Sequence, residues 1–196
     1  SDMSHKMSTT KTDYFTACTE LDVDGLTKLL EADPETIQST HSIHGGTGLH
    51  TLANALPYPT PDVQMECIKI LLENGIDINA QSSNGATPLH WAAGNGNHAV
   101  VGLLLERGAD PDIPTYTWAR QVFGKSSGQL PIFWAAESGC LRCLDLLTNV
   151  NPLSMLHLDE RDTTLYEVAE KNLQFDAMES IAEKFEEEYV YLECFE

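Results

Sequence analysis

The sequence predicts an all-α fold, a solenoid of about five stacked helix pairs joined by hairpin loops, with degenerate terminal units. One observation is a module within residues 81–113. Thr87-Pro88-Leu89-His90 is followed by Ala92, Ala93 and Gly96, the apolar run Val100, Val101, Leu103, Leu104, Leu105, and a closing Gly108-Ala109-Asp110. A second observation is that this order of residue types recurs along the chain at one internal phase. A third is that the apolar residues have helical spacing in every copy.

Each part of the module has a physical task. Thr and Pro open a helix, Leu and the Ala pair pack its inner side, and the Gly ends it. The apolar run forms a second helix, and the closing Gly and Asp return the chain to a loop. The first unit, residues 12–40, is faint: Tyr14, Phe15, Ala17 and Cys18, then Leu26, Leu29 and Leu30. In the second, residues 41–80, Thr47-Gly48-Leu49-His50 and Ala53 precede Ile68, Ile70, Leu71 and Leu72. It runs about seven residues over the repeat length, a surplus assigned to Leu56-Pro57-Tyr58-Pro59-Thr60-Pro61-Asp62, which cannot continue a helix. Residues 81–113 form the third unit, and residues 124–152 the fourth, with Pro131-Ile132-Phe133, Ala135-Ala136, Gly139, Leu141, Leu144, Leu146 and Leu147. Between them lies an insertion at residues 113–122. The fifth, residues 158–185, carries Thr163, Leu165, Tyr166, Val168, Ala169 and a helix from Phe175 to Phe185. Residues 1–11 read as a tag remnant and disordered start, with native numbering beginning at Met3 or Met7, and residues 186–196 as an acidic tail.

From residue 12 to residue 185 the pattern resembles the ankyrin repeat. The resemblance implies antiparallel helix pairs, hairpins directed toward a binding surface, and a structural His bonded to neighbouring loop backbone. His90 and His50 take that His position. Gly48 replaces the motif's Pro, Leu130 and Phe133 its Thr and His, and Tyr166 the last His. The Thr-to-His network is therefore expected to be incomplete outside the third unit, with larger apolar contacts in its place.

The chain carries 30 Asp plus Glu against 11 Lys plus Arg, a formal net charge of −19. Such a surface disfavours phosphate backbones and anionic membranes and attracts cationic partners. Solubility alone is the simpler role of that charge. No run of apolar residues is long enough for a membrane-spanning helix. Cysteines 18, 67, 140, 143 and 194 read as free thiols of a reducing compartment, the cytoplasm or the nucleus. Cys140 and Cys143 have CxxC spacing, but the pair falls within an expected helix with no second ligand pair nearby. No metal and no cofactor are expected.

No nucleophile-and-base pair, metal cluster or phosphate cradle appears at a convincing spacing, so the chain is not read as an enzyme. Gly45-Gly46-Thr47-Gly48 reads as a turn, and His41 and His44 as exposed loop residues. Trp91 and Trp134 share one repeat position. They either pack between repeats or form a concave aromatic ledge flanked by Gly94, Asn95, Glu137 and Ser138. The insertion supplies Tyr116, Trp118 and Arg120, residue types that dominate interface energies, unless its aromatics fold down to fill a gap. Partner binding is therefore assigned to Tyr116, Trp118, Arg120, Trp91, Trp134, Asn95 and Glu137. Asn79 lies in a spacing that resembles hydroxylation targets of the family, loop capping being its default role. The expected function is protein–protein recognition by a monomeric, non-enzymatic adaptor or regulator. The alternatives are an acidic escort for a basic client, such as a ribosomal or histone-like protein, and the amino-terminal region of a larger enzyme.

Overall fold

The computed structural model describes residues 14–41, 43–55, 61–116 and 128–193. Among these the structure is all-helical, with no strand. Five helix pairs follow in order. α1 covers residues 14–20 and α2 Val23–Ala32; α3 is Gly48–Asn54 and α4 Pro61–Glu73. α5 is Pro88–Gly94 and α6 His98–Glu106, and α7 is Pro131–Ser138 and α8 Leu141–Val150. α9 is Leu165–Lys171 and α10 Phe175–Glu193. The short first helices stack as one layer, α3 on α5 on α7 on α9, and the second helices form the layer behind them.

One continuous core joins the pairs, from Tyr14, Leu26 and Leu49 through Leu89, Leu104 and Phe133 to Leu165 and Ile181. A repeat whose helices are this short cannot bury its own apolar stripe, so stability comes from the neighbours.

Three backbone features correct the sequence expectations. Pro61 and Asp62 belong to α4, not to the surplus segment; proline lacks only the N–H that a first helical residue leaves unpaired anyway. Residues 56–60 lie outside the described residues. Tyr166 is not in the last His position. Thr164 caps α9, its N–H reaching Glu167 Oε2 (2.8 Å) while Glu167 N–H reaches Thr164 Oγ1 (3.2 Å), so Glu167 takes the His position. The left-handed residue nine places after the cap agrees in the last three pairs: Gly96, Gly139 and then Leu173 at φ 58°. Finally, α10 continues past Phe185 to Glu193, so the acidic segment extends the last helix through those residues.

The Thr-to-His network is also more complete than expected. In the third pair, Thr87 N–H donates to His90 Nδ1 (3.1 Å), and His90 Nε2 lies 3.0 Å from Gln129 O. A carbonyl only accepts, so Nε2 carries the proton and Nδ1 is the acceptor. The second pair repeats the arrangement despite Gly48, with Thr47 N–H on His50 Nδ1 (3.0 Å) and His50 Nε2 3.0 Å from Ala86 O. Glycine at 48 has its own cause, because a Cβ there would collide with the buried Tyr14 hydroxyl. In the fourth pair Phe133 fills the His position, fully buried, with the His157 ring edge-on at 5.9 Å. His157 Nε2 donates to Gly128 O (2.8 Å), so another histidine restores the tie to the loop.

Gln64 closes the gap that the Pro-rich segment opens. Its buried amide donates to Leu52 O (2.7 Å) and Ala55 O (2.9 Å), the carbonyls at the end of α3, and accepts from Asn97 Nδ2 (3.1 Å). Gln64→Leu should therefore cost about 2–4 kcal/mol, since two buried polar groups and a third partly buried one lose a partner at about 1–3 kcal/mol for each buried group and the added apolar burial offsets part of that. Urea unfolding of the variant against the wild type measures it.

Candidate recognition cleft

Successive hairpins are tied together: Ser83 N–H donates to His44 O (2.9 Å) and Tyr116 N–H to Asn84 O (2.9 Å), while Thr115 N–H donates to Gln129 O (2.9 Å) within the segment ahead of α7. Asn79 Oδ1 accepts from Asp110 N–H (2.9 Å), so its side chain bridges two successive turns, in keeping with the capping role. Gly85 (φ 83°) lets the Tyr116 backbone and ring lie against it, where any Cβ would clash. Tyr116 is half-buried, and its hydroxyl donates to Gln81 Oε1 (3.3 Å). Trp118 and Arg120 lie outside the described residues.

On the inner helices, equivalent positions bring Trp91 of α5 and Trp134 of α7 to one cleft of about 440 Å³, within the range of about 300–1,000 Å³ usual for ligand pockets. Gly94, Asn95, Glu137 and Ser138 line it as the sequence implies. The Trp134 ring lies directly over Gly94, where a Cβ would come within 2.9 Å of it, and edge-on to His90 at 5.4 Å. Trp134 is mostly buried, at 6% exposure, whereas Trp91 is half-buried. Packing between repeats and lining a cleft are thus both true of this pair. The Trp91 indole N–H is buried without a hydrogen-bond partner among the described residues.

Two further parts of the wall come from the second repeat, Asn54 at the end of α3 and His44 in the loop before it. Asn54 joins the floor, its Oδ1 accepting from Asn95 Nδ2 (3.0 Å), and Ser138 Oγ donates to Ala93 O (3.0 Å), fixing α7 against α5. His44 is the wall the sequence did not reveal. Rather than being exposed, it and His41 are half-buried, their rings stacked in parallel 4.2 Å apart, with His44 5.3 Å from Trp91. Burial, then the neighbouring His41, pushes the His44 pKa down, so the ring is neutral at physiological pH. Glu137 is the one charged residue lining the cleft among those described, and its side chain is exposed.

Cys140 is not inside a helix but caps α8, its Sγ accepting from Cys143 N–H (3.3 Å). Hydrogen bonding from Cys143, the amides at the start of α8 and the Arg142 charge lower its pKa to about 7, against the opposing effect of burial. No group of three or more His, Cys, Asp or Glu is placed to hold a metal ion among the described residues, and no described helix is long and apolar enough to cross a membrane.

A family model for ankyrin repeats, in three copies, matches residues 15–115. The chain is 29% identical over 153 residues to serine/threonine-protein kinase 12 of Arabidopsis thaliana, covering 78% of this chain and 30% of the kinase. It is 37% identical over 70 residues to the E3 ubiquitin-protein ligase KEG of the same plant, 36% of this chain and 4% of the ligase. Over 63 residues it is 41% identical to the ankyrin repeat and LEM domain-containing protein 1 homolog of Caenorhabditis elegans, 32% of this chain and 8% of that protein. The chain thus spans under a third of the length of each of these relatives.

Proposed function

The chain belongs to the ankyrin-repeat family, and on that premise we propose that it is a non-catalytic recognition module whose protein partner occupies the cleft of Trp91 and Trp134. The observation that carries this reading is the cleft itself, a preformed concavity with two tryptophans on rigid stacked helices. Large aromatic side chains at the centre of a concave, partly desolvated surface are the groups that dominate interface energies. Ser83 and Asn84 at the loop tips line the same cleft, Tyr116 N–H bonds Asn84 O beside it, and Trp118 and Arg120 lie two and four residues past Tyr116 in sequence. The same surface would serve as the recognition region of a longer enzyme, and the kinase and ligase relatives support that setting.

A second reading, the acidic escort of a basic client, is favoured by α10. Asp176, Glu179, Glu183 and Glu186 are all exposed along it, and Lys184 is held by Asp145 (2.9 Å). The two readings part on salt. Binding anchored by apolar burial in an aromatic cleft loses only the modest share contributed by charge at high ionic strength, while an electrostatic escort complex weakens steeply.

Proteins retained from a lysate by the wild type, at low and high salt, are compared with those retained by Trp91→Ala. The expected result is a partner retained at both salt concentrations and weakened by about 1–4 kcal/mol in Trp91→Ala, with the variant folded. A partner bound equally well by Trp91→Ala, and lost at high salt, would favour the escort and remove the cleft.

A further inference from the structure

Resting on the reading that the cleft receives a protein partner, we propose that its occupant is a cationic side chain, lysine or arginine, from a basic segment of that partner, held against the indole rings of Trp91 and Trp134 beside the Glu137 carboxylate. Indole is the strongest of the aromatic cation binders, because its ring faces carry negative potential. Two of them line one concavity here. The rest of the lining selects by charge. Asn54, Asn84 and Asn95 present neutral amides, Glu137 stands at the exposed rim, and among the described residues no lysine or arginine lines the cleft.

Among the described residues of the lining, His44 is the one side chain that could oppose a cation by protonation, and burial, then the neighbouring His41, disfavours its charged form. The carrier of the side chain is argued from the whole molecule: with a formal net charge of −19, the chain steers basic segments toward itself and turns acidic ones away. An aliphatic occupant would gain from the same apolar walls but nothing from the carboxylate or from the ring potential. Charge complementarity therefore decides between the two. At about 440 Å³ the space takes a long side chain together with part of its backbone.

The test uses the indole N–H signals of the full chain, whose three tryptophans are Trp91, Trp118 and Trp134, assigned through Trp91→Phe and Trp134→Phe. The protein is titrated with N-acetyl-lysine amide, N-acetyl-arginine amide and N-acetyl-norleucine amide, the last sharing the lysine stem without its charge. The expected result is saturable shifts of the Trp91 and Trp134 signals with the two cationic probes, far smaller shifts with norleucine, and a several-fold weakening of the cationic probes alone in Glu137→Gln. Equal shifts with norleucine, or none with any probe, overturn the proposal. In that event a partner still lost from Trp91→Ala would leave protein recognition at the cleft standing, whereas a partner indifferent to Trp91→Ala would remove both.

Discussion

Replacing Leu104 with alanine should lower stability by about 2–5 kcal/mol, the range for emptying a fully buried leucine site that cannot collapse. Leu104 is wholly inaccessible in α6, within the core that passes from α4 to α8. It sits in the central pair, and a stacked array transmits strain only through nearest neighbours. Loss of its side chain should therefore uncouple the α1–α4 side from the α7–α10 side, so that the urea transition both shifts and broadens. Circular dichroism through a urea series checks this. An unchanged midpoint would mean that the α6 interface carries little of the array's stability.

Acidification from pH 7 to pH 5 should cost about 4 kcal/mol, about 2 kcal/mol from each of His50 and His90. Burial outweighs the backbone hydrogen bonds at both rings and lowers their pKa to about 4, against about 6.5 in the unfolded chain. Between those values the unfolded state binds more protons, so the stabilisation is complete above about pH 6.5 and is lost as pH falls toward 4. Structure gives the same sign, since each Nδ1 accepts the N–H of its own helix cap and cannot do so once protonated. Relief of the acidic self-repulsion opposes this trend, but most ordinary carboxylates titrate near pH 4, below the window. Urea midpoints at half-unit pH steps measure the slope, and a flat profile from pH 7 to pH 5 would contradict the buried neutral pair.

Helix pairs were legible in the sequence because Thr-Pro openings, Ala pairs and Leu runs act locally, and the shared position of Trp91 and Trp134 followed from counting. Features set by one repeat acting on another were not. Gly48 looks like a defect in the motif until Tyr14 of the preceding pair is seen to occupy the space. Phe133 looks like the end of the histidine network until His157, 24 residues on, restores the tie from outside the motif (157 − 133). His44 reads as a loop residue because nothing local shows that Trp91 of the following repeat packs beside it. The register of α9 slipped by one residue because Thr163 and Thr164 are adjacent candidates, and only the capping pair with Glu167 separates them. Gln64 carried no signal at all, since its partners lie on both sides of an irregular segment.

Backbone amide hydrogen exchange of the chain, with and without its captured partner, tests the cleft as the binding surface most directly. Partner-dependent protection should fall on residues 83–95 and 131–138 and on the loop at 43–46, leaving α6 and α8 unchanged. Protection confined to the second-helix layer, or to α10 alone, would contradict it.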